Sequence, residues 1–208
     1  MGNLNLILFL SFAAPVSMML FICRERTRKV LFFMLCGITV CLLCGYVSAF
    51  LLPLTGLSET SFTINITPTV EELMKSLPIL IFAFIDRRDN RSVLECSVAV
   101  GVGFAVLENA FILSSNISIV SVPLALVRGF GSGMMHGLCT LTVGYGMTFV
   151  HTRRKLFYTG SVALLSAAVM YHSLYNILVQ SDYQIAGFVL PTLTFIPIVL
   201  VLRKKNVI

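Results

Sequence analysis

The sequence predicts an all-α protein, a polytopic bundle of about seven transmembrane helices in one integral membrane domain that covers residues 1–208. Hydrophobic residues make up 57% of the chain and charged residues only 12%, whereas soluble domains carry about 25% charged residues. The apolar residues also form runs long enough to cross a hydrocarbon core of about 30 Å. A soluble chain could not bury this much apolar surface, and the length leaves no room for a separate soluble module.

Seven apolar runs account for nearly the whole chain. The predicted spans are residues 4–23, 30–54, 66–85, 92–113, 122–150, 156–179 and 185–202. The first run is not a secretory signal peptide, because no basic residue precedes it and its charges come after it. Short outer loops are predicted at 55–65, 114–121 and 180–184. The pairs Gly101-Val-Gly103 and Gly133-x-x-x-Gly137 predict close contacts between helices.

The basic residues predict the orientation in the membrane. Thirteen of the fifteen lysines and arginines lie in four clusters, at residues 24–29, 86–91, 152–155 and 203–205. These clusters follow the first, third, fifth and seventh spans, so all four lie on one side. Cytoplasmic loops are enriched in lysine and arginine, which predicts an outer N-terminus and a cytoplasmic C-terminus. A net charge of +6 distributed in this way does not indicate a nucleic-acid partner.

A short set of polar residues lies inside the apolar runs. Each centrally placed charge costs about 2.5–3.5 kcal/mol on insertion scales, so such residues need partners and mark functional sites. The set comprises Glu71, Glu72, Lys75, Glu95, Glu108, Asn109, Arg128, His136, His172 and Asn176.

Four of these residues are predicted to lie at the same level of the membrane. At about 1.5 Å of rise per residue, each lies about 20–24 Å from the cytoplasmic end of its own span. These four are Glu72, Glu108, His136 and His172. Glu71 and Lys75 are four residues apart and therefore share a helix face, as do His172 and Asn176. The sequence thus predicts one pocket that gathers carboxylates, imidazoles, an amide and an ammonium.

Other polar residues have plainer interpretations. Glu95 is only three residues into its span and is expected to reach the cytoplasmic surface. Arg128 is expected to neutralise a glutamate, and His151 belongs to a cytoplasmic loop without a role in the site. Cys41-Leu-Leu-Cys44 has the spacing of a redox or metal motif, but its cysteines are interpreted as small packing residues. Ser132 lies in GFGSG, which is not a complete serine-hydrolase motif.

The chemistry that suits this pocket is hydrolysis. A glutamate in a partly dry site can act as general base on water. His136, His172 and Glu108 could hold Zn²⁺ with an open position for that water. Alternatively, the histidines and Asn176 could donate hydrogen bonds to an oxyanion without any metal. HExxH is absent and no aspartate lies within a predicted span, so the zincin and paired-aspartate patterns do not apply.

Four motifs in this order resemble the PrsW family of intramembrane proteases. They are Glu71-Glu72-x-x-Lys75, Gly103-Phe104-Ala-x-x-Glu108-Asn109, His136, and His172-x-x-x-Asn176, within about residues 68–180. The family is similar to a wider group of CAAX-type prenyl proteases and bacteriocin-processing enzymes. The second motif departs from that group, because it has Glu108-Asn109 where CAAX-type enzymes carry a histidine.

The resemblance implies an enzyme of the bacterial plasma membrane that cuts a single-span membrane protein near the outer face. In the best-known case the substrate is an anti-sigma factor, and its cleavage starts a stress-response cascade. The resemblance also implies that Glu71, Glu72 and His172 are essential, with Glu71 or Glu72 as the base. The remaining site residues are Glu108, His136 and Asn176, supported by Lys75, Asn109 and Arg128. The PrsW family is often described as metalloproteases, whereas its CAAX-type relatives resemble metal-free glutamate enzymes, so both mechanisms stay open here.

Two other classes of function are compatible with the same residues. Intramembrane glutamate, histidine and arginine side chains also build the proton relays of transporters, although no internal repeat is evident. A non-catalytic membrane scaffold is the third alternative. Cleavage by the purified protein would exclude the transporter, and partner binding that survives Glu72→Gln would favour the scaffold.

Overall fold

The chain folds as a bundle of α-helices. A computed structural model describes residues 25–85, 90–118, 121–151 and 153–204. In these ranges the elements are α1 (Glu25–Thr55), α2 (Glu59–Asn65), α3 (Thr67–Ile85), α4 (Asn90–Ser115), α5 (Val122–Met147), α6 (Arg154–Val179) and α7 (Gln184–Lys204), with no strand among them. The predicted all-α fold is therefore confirmed. The predicted span at 4–23 lies outside the described residues.

Four of these helices are long and apolar enough to cross a membrane by length and composition, namely Glu25–Thr55, Asn90–Ser115, Lys155–Val179 and Gln184–Val201. The helix at Thr67–Ile85 is not among them, and it carries three charged residues in 19. Large side chains such as Val162, Met170 and Leu193 are exposed on the outer helices. A soluble protein rarely shows so much exposed apolar surface, which fits lipid as the surrounding solvent. The count of seven spans and the orientation remain predictions.

The predicted outer loop at 55–65 contains a helix that the sequence interpretation missed. Gly56 ends the preceding segment with a φ of 66°, a left-handed conformation that glycine adopts without steric cost. Ser58 then caps α2 by accepting a hydrogen bond from the Ser61 amide, which satisfies one of the free amides of the first turn. Seven residues are too few for a span, so the hydrophobic pattern gave no sign of this helix.

Helix α4 lies at the centre of the bundle, and its glycines allow two neighbours to approach its backbone. A Cβ added at Gly101 would collide with the carbonyl of His136 on α5, and one at Gly103 would collide with the carbonyl of Met34 on α1. The close contact predicted at this pair is confirmed. At Gly133 an added Cβ would meet nothing within 4 Å among the described residues, so the prediction is wrong there.

Replacing Gly103 by alanine is expected to destabilise the protein by about 1–3 kcal/mol, because the added methyl group meets backbone that cannot move aside. Gly129→Ala is the matched control, since a Cβ there meets nothing within 4 Å of the described residues. The measurement is the free energy of unfolding in bicelles. Equal stability of the two variants would contradict the proposed tight contact between α1 and α4.

Candidate active site

Helix α3 presents three charged residues to the interior of the bundle. Glu71 is 7% exposed, Glu72 1% and Lys75 0%. Their i, i+3 and i+4 spacing places them on one helix face, which continues into the core at Ile79 and Ala83, while other large apolar side chains of α3, such as Leu77 and Ile81, are exposed. The charged residues of α3 therefore lie on the face that points into the bundle rather than toward lipid.

Lys75 is paired on two sides. Its Nζ donates to Glu72 Oε1 at 2.7 Å and to His136 Nδ1 at 2.8 Å. The ammonium also lies 4.6 Å from the centroid of the Phe104 ring, a distance at which the ring face attracts a cation. Because Lys75 donates to Nδ1 of His136, the ring proton of that histidine is on Nε2.

His172 faces both glutamates with its two ring nitrogens. Nδ1 lies 2.8 Å from Glu72 Oε1, and since a carboxylate only accepts, this nitrogen carries the proton. In the neutral imidazole Nε2 is then an acceptor, and it lies 3.8 Å from Glu71 Oε2. Glu71 Oε2 is buried and has no hydrogen-bond partner among the described residues. With the imidazole neutral and the carboxylate ionised, these two atoms are acceptors on either side of a gap that suits a cation or a water molecule that donates both of its hydrogens.

A second group of polar contacts lies beside Glu71 and His172, where Glu108 on α4 meets residues of α5. Glu108 Oε2 accepts hydrogen bonds from His136 Nε2 and from Ser132 Oγ, each at 3.1 Å. The Arg128 guanidinium lies 4.0 Å from the same oxygen. The neutralising role predicted for Arg128 is consistent with this distance. His136 thus links Lys75 on α3 to Glu108 on α4.

The donors present fit a metal ion. Glu71, His136 and His172 each offer a ligand atom within 4.8 Å of the others, a donor set of the kind that Zn²⁺ prefers. Among the described residues, Glu72 has Lys75 as a cationic partner and Glu108 has Arg128. Among the same residues Glu71 has no lysine or arginine within salt-bridge distance, so a metal cation bound there would balance the charge of its buried carboxylate. One nitrogen of His136 would have to exchange its present partner for the metal.

This donor set differs in one member from the set predicted from sequence. Glu71 takes the place expected for Glu108. The position of a residue in the sequence gives its level along the helix but not the direction of its side chain in the folded bundle. The sequence therefore could not show which of the two carboxylates at this level faces both histidines. The metal-ligand role of each residue remains a prediction.

Asn176 and Asn109 lie apart from this cluster of hydrogen bonds. The Asn176 amide donates to the Thr63 carbonyl at 3.0 Å and so ties α6 to α2. Asn109 Oδ1 is buried without a hydrogen-bond partner. The oxyanion role predicted for Asn176 stays a prediction, and its amide already has a partner.

Replacing Asn176 by alanine is expected to loosen α2 rather than the carboxylate cluster. Losing one such hydrogen bond costs about 0.5–1.5 kcal/mol, so amide hydrogen exchange in residues 59–65 should rise a few-fold while exchange at residues 71–75 stays unchanged. Asn116→Ala is the matched control, since the Asn116 side chain donates to the Ile112 carbonyl four residues earlier in the chain. Faster exchange at 71–75 alone would instead place Asn176 in the catalytic cluster.

Glu95 and His151 lie outside the site, as the sequence interpretation expected. Glu95 forms ion pairs with Arg26 and Arg91 at the start of α4. His151 Nε2 lies 2.9 Å from the carbonyl of Ala83. Cys41 and Cys44 are free thiols.

Two residues that contact the site were not predicted to be site residues. Phe104 packs against His136, with ring centroids 4.9 Å apart, as well as lying against Lys75. Ser132 donates to Glu108. The signals for Phe104 were its place in the motif that ends in Glu108-Asn109 and its position four residues before Glu108 on the same helix face. Ser132 attracted attention as a nucleophile candidate, not as a hydrogen-bond donor to a carboxylate.

The fold and the site define a class of protein. A membrane helical bundle that buries carboxylates, imidazoles and an ammonium at one point contains the groups that a membrane-embedded hydrolase requires. Residues 25–202 match the family described as PrsW family intramembrane metalloprotease. No curated protein and no solved structure shows significant similarity to the chain.

The chain belongs to the PrsW family of intramembrane metalloproteases. It is therefore a peptidase embedded in the membrane, and the bacterial plasma membrane is its expected location. Its substrates are membrane proteins within the bilayer. Because the family is one of proteases, this match favours a protease over a transporter or a non-catalytic scaffold.

Proposed function

We propose that the protein hydrolyses a peptide bond of a membrane-anchored protein with a water molecule activated by a glutamate. The observation that carries this proposal is that Glu71 Oε2, buried and without a hydrogen-bond partner among the described residues, lies 3.8 Å from His172 Nε2. In this mechanism Glu71, His136 and His172 would hold zinc. When bound there, zinc would polarise the attacking water and the scissile carbonyl.

Glu72 is the general base in this mechanism. Its Oε2 is buried and has no hydrogen-bond partner within the described ranges, while its Oε1 accepts hydrogen bonds from Lys75 and His172. Oε2 accepts a proton as the water oxygen bonds to the carbonyl carbon of the substrate. The same proton then passes to the amide nitrogen as the carbon–nitrogen bond breaks, which yields a carboxylic acid and an amine.

Lys75 and Glu72 have a further positioning role. The hydrogen bond from His172 Nδ1 to Glu72 orients the opposite nitrogen toward Glu71. A carboxylate placed behind a ligating histidine commonly fixes the ring and its tautomer in this way. Lys75 holds that carboxylate in place and, with the Phe104 ring, keeps its own charge out of contact with lipid.

The substrate proposed is a single-span membrane protein of the anti-sigma-factor type, cut near the outer face of the bilayer. Family membership supports a membrane protein as substrate, and the resemblance of the four motifs supports this narrower class. The predicted orientation would place Glu71 and Glu72 in the outer half of the membrane.

The test is proteomics of protein N-termini in membranes that express wild type or Glu72→Gln at equal level. New termini at the outer ends of single-span proteins, found only with wild type, are expected and would identify the substrate. Glu25→Gln is the matched control, because Glu25 is 81% exposed and pairs only with the nearby Lys29 among the described residues. Identical termini with wild type and Glu72→Gln, both folded, would reject the proposed function.

A further inference from the structure

Tyr175 on α6 has a buried hydroxyl group that the mechanism above does not use. The side chain is 2% exposed, and its hydroxyl oxygen has no hydrogen-bond partner among the described residues. A buried tyrosine hydroxyl usually has a partner, and burying an unpaired one is costly. Phenylalanine would fill nearly the same space without that cost, so the hydroxyl indicates a ligand that accepts a hydrogen bond.

This hydroxyl lies beside the candidate active site. Tyr175 follows His172 by three residues and shares its helix face. Its hydroxyl is close enough to the Glu108 carboxylate and the Arg128 guanidinium to interact electrostatically with both. The ring packs edge to face against Phe188 of α7, with centroids 6.5 Å apart. The hydroxyl is thus held next to the carboxylates and imidazoles of the site.

Other donors at the site already have acceptors. Ser132 donates to Glu108, the Asn176 amide donates to the backbone of α2, and Lys75 donates to a carboxylate and an imidazole. Attack of water on a peptide carbonyl puts negative charge on the carbonyl oxygen, and donors already in place stabilise such an oxyanion. Tyr175 can supply a donor of this kind without giving up a present partner.

Two further buried donors lack a partner among the described residues, Ser161 Oγ and Arg128 Nε. Ser161 lies against Gly146 and precedes His172 by eleven residues, which is about 16 Å along the helix. It is therefore remote from the imidazole. The Arg128 guanidinium lies 4.0 Å from Glu108 and so already faces a carboxylate.

We propose that Tyr175 is a catalytic residue whose hydroxyl donates a hydrogen bond to the carbonyl oxygen of the scissile bond as negative charge develops there. The inference rests on the proposed function, because it assigns the oxyanion donor of the same reaction. The hydroxyl keeps its proton throughout, so the proton transfers through Glu72 are unchanged. Asn176, the donor predicted from sequence, keeps its hydrogen bond to Thr63.

The test is Tyr175→Phe, which removes the hydroxyl and keeps the ring. The kcat for the substrate identified by proteomics is expected to fall about 10²- to 10³-fold, the usual effect of losing one oxyanion donor, with KM nearly unchanged. A phosphonate analogue of the cleaved peptide, whose charged oxygen resembles the oxyanion, should bind more weakly by a comparable factor. Zinc content and unfolding temperature in bicelles should match wild type, because the lost hydroxyl had no partner among the described residues.

Tyr171→Phe is the matched control on the same helix. The Tyr171 hydroxyl is hydrogen-bonded to Thr194 of α7, so its loss should lower the unfolding temperature and leave kcat and phosphonate affinity at their wild-type values. The opposite responses of the two variants separate a catalytic hydroxyl from a structural one.

Three results would contradict the assignment of Tyr175. The first is a wild-type kcat in Tyr175→Phe, which would leave the proposed function intact. The second is a loss of activity that accompanies lower unfolding temperature or loss of zinc, the pattern of a structural hydroxyl. The third is equal phosphonate affinity in wild type and Tyr175→Phe, which is measured without turnover. Absence of cleavage by wild type would instead reject the proposed function.

Discussion

Replacing Glu72 by glutamine is expected to lower the rate of cleavage by about 10²- to 10⁴-fold, the usual contribution of a general base, while the protein keeps its zinc. Glutamine has nearly the shape of glutamate but cannot take a proton from water. The zinc content should survive at saturating zinc, because the proposed ligands are Glu71, His136 and His172 and loss of the carboxylate behind His172 weakens metal binding only by about 10–100-fold.

The neighbouring substitution is expected to behave differently. Glu71→Gln should lose both zinc and cleavage, because a neutral amide is a poor ligand in place of a buried carboxylate. The measurements are zinc content of the purified protein by mass spectrometry and the rate of cleavage of the identified substrate. Glu25→Gln should match wild type in both. Loss of zinc in Glu72→Gln and its retention in Glu71→Gln would reverse the two proposed roles.

Replacing Lys75 by methionine is expected to destabilise the protein by about 3–5 kcal/mol, the usual cost of removing one partner of a buried ion pair. Both side chains of the Lys75–Glu72 pair are 0% exposed, with 2.7 Å between Nζ and Oε1. The Glu72 carboxylate would be left buried without its cation, and His136 would lose the donor to its Nδ1. The measurement is the free energy of unfolding in bicelles.

Two further variants test whether the unpaired buried charge causes this loss of stability. The double variant Lys75→Met/Glu72→Gln removes both charges and is expected to regain most of the lost stability but to remain inactive. Lys29→Met is the matched control, since Lys29 and Glu25 form an exposed pair with 3.6 Å between the charged atoms and exposed pairs contribute at most about 1 kcal/mol. A cost for Lys75→Met no greater than that of the control would show that the buried pair does not stabilise the site.

The sequence predicted the helices well where hydrophobic runs are long. The runs predicted at 30–54, 92–113 and 156–179 correspond to helices at Glu25–Thr55, Asn90–Ser115 and Arg154–Val179, because a membrane span must be apolar and helical throughout. The helix at Glu59–Asn65 was missed because one short amphipathic turn has no such constraint. The tight contacts of Gly101 and Gly103 were predictable, since small residues allow helix backbones to approach in lipid.

For the site, the sequence by itself determined which polar residue types lie within the apolar runs and at what level along their helices. Placing a charge in an apolar helix is costly enough that Glu71, Glu72, Glu108, His136 and His172 could be recognised without an alignment. Only the tertiary structure decided which atoms meet. It placed Glu71, rather than Glu108, beside both histidines, and it directed Asn176 to the backbone of Thr63. The physical reason is that depth along a helix follows from residue number, whereas rotation of one helix against another depends on the packing of all its neighbours.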